Sequence, residues 1–256
     1  MSVFFNSGIL FQVNRTTVIF IIISNSISAR CDRIMYMPQV KPLKILDLPV
    51  YYINLDKDIE KRESIESLLE ELGFTNVNRF SAKYHSTKGL GCAMSHNRLL
   101  KDLSGEQTPF IVLEDDVIAN SFKDTVNLPL DADAFYLGNS MWGIYNGKGH
   151  RRISVERYTS DVFRIYNMLA AHAILYNNPE YVKFLARATE FPIYVHTNQD
   201  KARAETMKYW NVYAGKTPLF YQDGKYEGHT KFNLPGPTAK GPSGAYTLES
   251  ITAIRR

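Results

Sequence analysis

Along the first half of the chain, segments whose apolar residues are typical of strands alternate with segments whose apolar residues recur at helical spacing. Residues 48–55, rich in β-branched and aromatic side chains, predict a buried strand. Apolar residues then recur at helical spacing over residues 59–72 and stop at Gly73, a residue type that commonly ends helices. A short strand over residues 76–80 and a helix over residues 92–103 continue the order. Such alternation is typical of an α/β fold with parallel strands.

The next apolar run ends in three consecutive carboxylates. Residues 110–113 read Phe-Ile-Val-Leu, and Glu114, Asp115 and Asp116 follow directly. This pattern predicts a buried strand that carries acidic residues to its C-terminal edge. Close carboxylates repel one another, which favours a hard divalent cation such as Mg²⁺ or Mn²⁺ among them. If the strand continues, Glu114 and Asp116 point to one face and Asp115 to the other. The alternative is a solvated acidic turn.

The second half of the chain has a weaker pattern. Strands are predicted over residues 133–138, 163–166 and 171–176, a glycine-bearing loop over residues 138–149, and a helix over residues 178–189. We expect a single domain over residues 45–235, preceded by an N-terminal extension over residues 1–44. Residues 236–256 are expected to form a Pro- and Gly-rich C-terminal tail.

Composition narrows the function classes. The chain has 256 residues and a hydrophobic content of 45%, enough for one sizeable core. Its formal charge of +4 is modest and its basic residues are scattered, so we expect no nucleic-acid partner. The two cysteines, Cys31 and Cys92, indicate neither a disulfide framework nor a zinc cluster.

An apolar segment near the N-terminus bears on localisation. Residues 17–24 are strongly apolar but too few to span a bilayer, and the small residues at 26–29 resemble a signal-peptide cleavage site. An upstream extension is the other interpretation. We expect a cytoplasmic protein; the alternative is the secretory pathway, or membrane association through residues 17–29.

Polar residues at the predicted strand ends are candidates for ligand binding. Asn54 and Asp56 lie at the C-terminal end of the first strand, where they could bind a base or ribose; the alternative is an ordinary helix start with Asp56 as its cap. The glycine-rich segment at residues 88–96 could present backbone amides to an anion. Within it, His96 is a candidate substrate contact or a structural histidine, and Ser95 has no evident catalytic partners.

Late residues supply further candidates. His229 lies in a polar segment that could close over a site and add a metal ligand. Asp200 and Glu190 are the candidate general bases among the late carboxylates. A surface location is the alternative for each of these three.

Taken together, four segments resemble glycosyltransferase family 25, the lipooligosaccharide and procollagen galactosyltransferase group. The segments are Ile53-Asn54-Leu55-Asp56 with Arg62 behind it, Arg79-Phe80-Ser81-Ala82, Gly91 to His96, and Leu113-Glu114-Asp115-Asp116-Val117. The resemblance covers about residues 48–120. Family members commonly have Pro-x-Asp later in the domain, whereas this chain has Pro192-Ile193-Tyr194.

The resemblance implies a GT-A fold, a Rossmann-like single domain with a mixed central sheet. It also implies transfer of a hexose, galactose or glucose, from a UDP-sugar to a glycan or protein-linked hydroxyl, with a divalent metal (Mn²⁺ or Mg²⁺) and inversion. Donor-binding residues would be Asn54, Asp56, Arg62, Ala82, Gly91, Ser95, His96 and Asp115. Metal ligands would be Glu114, Asp116 and His229, with Asp200 or Glu190 as base. Alternatives are a metal-dependent nucleotidyltransferase or phosphohydrolase, and an inactive carbohydrate-binding relative.

Overall fold

The computed structural model describes residues 38–120, 122–140, 142–145, 148–150, 153–194 and 199–223. The apolar N-terminal segment, His229 and the predicted C-terminal tail lie outside the described residues. In the part that is described, no helix is both long and apolar enough to cross a membrane.

The described residues form fourteen strands and five α-helices. The strands are β1 (Val40–Lys44), β2 (Val50–Asn54), β3 (Val77–Ser81), β4 (Phe110–Glu114), β5 (Val117–Ala119), β6 (Thr125–Pro129), β7 (Ala134–Tyr136), β8 (Gly143–Tyr145), β9 (Lys148–His150), β10 (Val155–Arg157), β11 (Val162–Ile165), β12 (Ala173–Tyr176), β13 (Val212–Gly215) and β14 (Phe220–Gln222). The helices are α1 (Ile59–Glu71), α2 (Lys88–Asp102), α3 (Pro179–Ala188), α4 (Glu190–Tyr194) and α5 (Gln199–Thr206).

Eight strands form one mixed sheet in the order β10-β11-β13-β7-β12-β4-β2-β3. β2 is parallel to both β3 and β4, and β13 is parallel to β7, whereas β12 is antiparallel to both of its neighbours. Three short pairs lie outside this sheet: β1 with β6, β5 with β14, and β8 with β9. The large mixed sheet confirms the predicted α/β class.

Both faces of the sheet are covered, and the central strand β4 is apolar from Phe110 to Leu113. In β4, Phe110 and Val112 lie in one hydrophobic core, and Ile111 and Leu113 lie in the other. Helices α2 and α3 contribute to the first core, and α1 contributes to the second. Alternate residues of a strand point to opposite faces, so a continuous apolar run fits a strand buried on both sides.

The early elements match the predictions closely. β2, α1 and β3 all form where the pattern indicated, and Gly73, directly after the last residue of α1 and its cap, has a φ of 87°. That conformation is accessible to glycine at little cost. Later in the chain, α3 begins at Pro179 with the Asn178 side chain accepting a hydrogen bond from the Glu180 backbone amide, as predicted for a proline-initiated helix.

Three boundaries differ from the prediction. α2 begins at Lys88 rather than Cys92, because its buried face already includes Leu90. β4 ends at Glu114, and the chain turns before β5 pairs with β14 in a separate sheet, so the strand pleat does not continue through the acidic residues. The predicted loop at residues 138–149 contains the β8–β9 hairpin.

Candidate functional site

The order of β4, β2 and β3 in the sheet predicts a crevice for ligands at the carboxyl ends of these strands. β2 lies between β3 and β4, and the helices that connect them pack in opposite cores. The chain therefore reverses direction across β2, which is the topological switch point where α/β sheets bind ligands. β2 ends at Asn54 and β4 ends at Glu114, so the predicted polar residues meet at this edge.

Asn54 connects the ends of these strands. Its buried amide nitrogen donates hydrogen bonds to Asp115 Oδ2 at 2.8 Å and to the Asp58 carbonyl at 3.1 Å. Its amide oxygen accepts a hydrogen bond from Arg79 Nε at 3.1 Å. Every polar atom of the Asn54 side chain thus has a protein partner, so its role in this structure is to hold the site together.

Asp56 lies just beyond β2 and is exposed. Arg79 Nη2 donates to its carboxylate at 2.6 Å, and Ser81 Oγ donates at 3.0 Å. The hydrogen bond from Arg79, followed by that from Ser81, lowers the pKa of Asp56. The result is an ionised acceptor fixed at the mouth of the crevice, suited to a ribose hydroxyl.

The cation among the consecutive carboxylates is a lysine of α1. Lys61 Nζ lies 3.3 Å from Asp115 Oδ1 and 3.8 Å from Asp116 Oδ2. Burial opposes the charge of Lys61, but Asp116 and Asp115 together raise its pKa. Burial also raises the pKa of Asp115, and the ammonium of Lys61 counters that rise. Lys61 therefore offsets much of the repulsion that the sequence pattern implied.

A Lys61→Met variant is expected to lose about 2 kcal/mol of stability at pH 7, because the buried Asp116 and the partly buried Asp115 lose their cation. Burial gives Asp115 a higher pKa in the folded state than in the unfolded state. The folded state therefore binds a proton at Asp115 more tightly than the unfolded state does. Acidification through this pKa stabilises the folded state relative to the unfolded state. Removing Lys61 raises the pKa of Asp115 further, so the stability deficit shrinks as the pH falls from 7 towards 4. Urea unfolding across this pH range measures the difference.

Lys44→Met is the matched control. Lys44 lies 3.5 Å from Asp47 in an exposed ion pair, so its removal is expected to change stability by less than about 0.5 kcal/mol at any pH. Equal deficits for the two variants, or a Lys61→Met deficit that grows on acidification, would contradict the assigned role of Lys61.

Glu114 separates two groups of side chains. One carboxylate oxygen, Oε1, lies 2.9 Å from His96 Nε2 and 3.7 Å from Cys92 Sγ. The other, Oε2, accepts a hydrogen bond from Gln222 Nε2 at 2.9 Å. Both His96 and Gln222 thus orient one carboxylate at the end of β4. The protein atoms around the Cys92 sulfur and the charge of Glu114 raise the pKa of that thiol, which keeps it protonated at neutral pH.

Gln222 also links Glu114 to Asp116. Its Nε2 donates to Asp116 Oδ1 at 3.4 Å, so both carboxylates face one amide group. The Gln222 amide nitrogen, which is the positive end of the amide dipole, lies where the charges of Glu114 and Asp116 would both attract a cation. Two carboxylates and an amide that can offer its oxygen are the donors that Mg²⁺ and Mn²⁺ prefer. These residues therefore fit the hard divalent cation that the family resemblance implies.

Ser95 and Gly91 fasten the segment after β3 to α2. The buried Ser95 hydroxyl donates to the Gly91 carbonyl at 2.7 Å and accepts from the Lys83 amide at 2.8 Å. A Cβ at Gly91 would lie 2.8 Å from the Lys83 carbonyl oxygen and 3.2 Å from the His85 amide nitrogen. The glycine-rich pattern thus reflects close backbone approach beside the crevice, since the helix and the segment touch here.

Gly91→Ala is expected to lower the free energy of unfolding by about 1–3 kcal/mol, because backbone must move to admit the methyl group. Gly89→Ala is the matched control on the same helix. A Cβ at Gly89 meets nothing within 4 Å, so alanine is expected to raise stability by up to about 1 kcal/mol. Guanidinium unfolding of both variants gives the comparison; a Gly91→Ala variant as stable as Gly89→Ala would remove the packing argument.

Of the two predicted general bases, the structure brings Asp200 to the cluster. Asp200 interacts electrostatically with Glu114 and His96, and burial is the main cause that raises its pKa. Glu190 instead forms an ion pair with Lys101 at 2.5 Å, near the C-terminal end of α2. Asp200 is therefore the late carboxylate that lies near Glu114 and His96, and its role as a general base stays a prediction.

The remaining predicted residues lie around this cluster. Ala82 donates its backbone amide to the Asn54 carbonyl at 2.9 Å, and so continues the edge of β2. Arg62 lies on α1 and pairs with Glu66 at 3.6 Å, with almost half of its side chain exposed. His229 lies outside the described residues, so its assignment as a metal ligand stays a prediction.

Two residues near the cluster were not found from the sequence. Arg203 on α5 is fully buried and donates to the Tyr176 hydroxyl at 2.8 Å. Its Nε and Nη2 atoms have no hydrogen-bond partner in the part of the chain that the structure describes. Burial raises the pKa of Asp200, and the charge of Arg203 counters part of that rise. Its spacing of three residues from Asp200 becomes informative only once a helix is predicted there, and Gln222 carries no sequence signal at all.

The family model described as glycosyltransferase family 25 (LPS biosynthesis protein) matches residues 81–186, from the end of β3 through most of α3. No curated protein sequence matches the chain. The family match confirms the resemblance and the prediction that the protein is a transferase enzyme of the glycosyltransferase class.

Two solved structures are similar in parts of their fold. One is a glycosyltransferase involved in the glycosylation of the major capsid of PBCV-1, with 12% identity and a TM-score of 0.31 over 56% of this chain and 67% of that chain. The other is the CTP:phosphocholine cytidylyltransferase from Streptococcus pneumoniae, with 10% identity and a TM-score of 0.38 over 69% of this chain and 93% of that chain.

Proposed function

We propose that the protein transfers a hexose, galactose or glucose, from a UDP-sugar to a hydroxyl group of a glycan or glycoprotein, with inversion at the anomeric carbon. The observation that carries this proposal is the pair of carboxylates, Glu114 and Asp116, that face one amide at the switch point of the sheet. A diphosphate bound in the crevice would lie beside these carboxylates. Inversion requires that the acceptor oxygen displace the diphosphate from the anomeric carbon in one direct step.

The donor would bind across the ends of β2 and β4. The ionised Asp56 is suited to accept hydrogen bonds from ribose hydroxyls. The amides at the start of α2 are suited to a phosphate group, because a helix N-terminus attracts negative charge. Glu114 and Asp116 would hold the divalent cation, which when bound offsets the negative charge of the departing diphosphate.

Asp200 is the proposed general base. Burial raises the pKa of Asp200, which makes it a stronger base than an exposed aspartate, and the charge of Arg203 counters part of that rise. Asp200 takes the proton from the acceptor hydroxyl as that oxygen bonds to the anomeric carbon. The bond from the anomeric carbon to the diphosphate oxygen breaks, and UDP leaves with that electron pair.

The experiment is a panel of UDP- and GDP-sugars incubated with purified full-length protein, Mn²⁺ and a mixture of glycan acceptors. UDP release from one donor, abolished by EDTA and restored by added Mn²⁺, is the expected result. Mass spectrometry of the acceptor then identifies the hexose added. If the enzyme transfers sugar to none of the acceptors in the mixture, calorimetry with UDP alone measures whether the donor nucleotide binds.

Other outcomes separate the alternatives. Pyrophosphate or inorganic phosphate in place of UDP would indicate a nucleotidyltransferase or a phosphohydrolase. UDP binding without turnover on any acceptor would indicate a carbohydrate-binding relative. UDP release that EDTA leaves unchanged would retain the transferase and remove the metal role of Glu114 and Asp116.

A further inference from the structure

The side of Glu114 that faces away from Gln222 carries a second set of ligand atoms. Cys92, His96 and Glu114 each offer one ligand atom, and these three atoms lie within 4.8 Å of one another. Cys92 and His96 are four residues apart on α2, so they project from the same face of the helix. Glu114 reaches them from the end of β4.

The site combines a protonated thiol with a fixed imidazole. Cys92 is exposed as a residue, but the protein atoms around its sulfur raise the pKa of the thiol, so a bound cation has to displace the thiol proton. His96 is only 1% exposed, and its ring is fixed by packing with Nε2 directed at Glu114.

The donor atoms here differ from those on the other side of Glu114. Sulfur, nitrogen and oxygen ligands suit Zn²⁺, which binds thiolates, imidazoles and carboxylates in tetrahedral geometry. The hard ions Mg²⁺ and Mn²⁺ prefer oxygen ligands, such as those of Glu114, Asp116 and Gln222. Three protein ligands leave a fourth position of a tetrahedral ion for water.

We propose that Cys92, His96 and Glu114 form a binding site for a thiophilic divalent cation such as Zn²⁺, distinct from the all-oxygen position between Glu114 and Asp116. The site does not depend on the proposed sugar transfer, because its ligands are defined by their own geometry. Its existence is therefore testable without a substrate.

The test is a Co²⁺ titration of untagged full-length protein, with Co²⁺ as the spectroscopic substitute for Zn²⁺. A Cys31→Ser background leaves Cys92 as the single thiol, because the chain has 2 cysteines. The expected result is a near-ultraviolet thiolate-to-cobalt charge-transfer band that saturates at one ion per chain. Added Zn²⁺ is expected to displace Co²⁺ and abolish the band.

Variants assign the ligands. Cys31→Ser/Cys92→Ser is expected to lose the band, and His96→Gln is expected to weaken Co²⁺ affinity by at least about tenfold. Asp116→Asn is expected to keep the band, because Asp116 belongs to the oxygen position alone. Circular dichroism verifies that each variant is folded.

Absence of the band in the folded Cys31→Ser protein would overturn the proposal even if His96→Gln fails to fold. A band that survives Cys92→Ser, or that requires Asp116, would overturn it as well. Failure here leaves UDP-sugar transfer untouched, since that activity is assayed separately with Mn²⁺.

Discussion

Replacement of Asp116 by asparagine is expected to lower the rate of glycosyl transfer by about 100-fold or more, which corresponds to about 3 kcal/mol of lost transition-state stabilisation. Asp116 is 4% exposed and faces the Gln222 amide together with Glu114. Asparagine keeps the shape of the side chain but removes one of the two charges that would hold the divalent cation. The loss should therefore appear in kcat and in the apparent affinity for Mn²⁺.

Two measurements separate loss of charge from loss of structure. Thermal unfolding should show that Asp116→Asn remains folded. Asp102→Asn is the matched control, because Asp102 pairs with Arg98 on an exposed surface of α2, 3.0 Å away. We expect that variant to keep full activity. A folded Asp116→Asn protein with undiminished transfer would rule out the assigned role of Asp116.

Gly138→Ala is expected to cost about 3 kcal/mol of stability, since overpacking of a buried site is destabilising. A Cβ at Gly138 would lie 2.0 Å from Nε2 and 2.5 Å from Cδ2 of His172. His172 is 1% exposed, and its carbonyl accepts a hydrogen bond from the Glu114 amide at 2.9 Å. Displacement of His172 would therefore disturb Glu114 as well as the core. Differential scanning calorimetry should show a decrease of roughly 6–12 °C in Tm.

A double-mutant cycle identifies the cause. In a His172→Ala background the imidazole is absent, so adding Gly138→Ala is expected to cost less than about 0.5 kcal/mol. Gly105→Ala is the control for a general effect of replacing glycine. A Cβ at Gly105 meets nothing within 4 Å, so its stability change should stay within about 0.5 kcal/mol. An equal cost of Gly138→Ala in both backgrounds would show that His172 is not the obstacle.

Local patterns predicted the elements that carry the site. The period of apolar residues located α1, whereas β-branched and aromatic residues located β2, and Asn178-Pro179 marked the start of α3. The patterns were weaker where short strands pair at a distance. β13, for example, joins the sheet between β7 and β11, and nothing within its four residues indicates that neighbour.

The sequence by itself also determined the family resemblance, because the resemblance rests on four short segments and on their order along the chain. It marked Asn54, His96, Glu114 and Asp116, all of which lie at the edge formed by β2, α2 and β4. Residues that are adjacent in the sequence can be recognised as a motif without the structure. The end of a strand then keeps such residues together in space.

Only the tertiary structure decided the partners of those residues. Lys61 reaches Asp115 across 54 positions of the chain, and Gln222 reaches Glu114 across 108. Glu114 faces Cys92 and His96 on one side and the Gln222 amide nitrogen on the other, because folding brings these distant elements together. Side-chain contacts between distant segments have no period and no fixed spacing, so the sequence specifies them only through the packing of the whole domain.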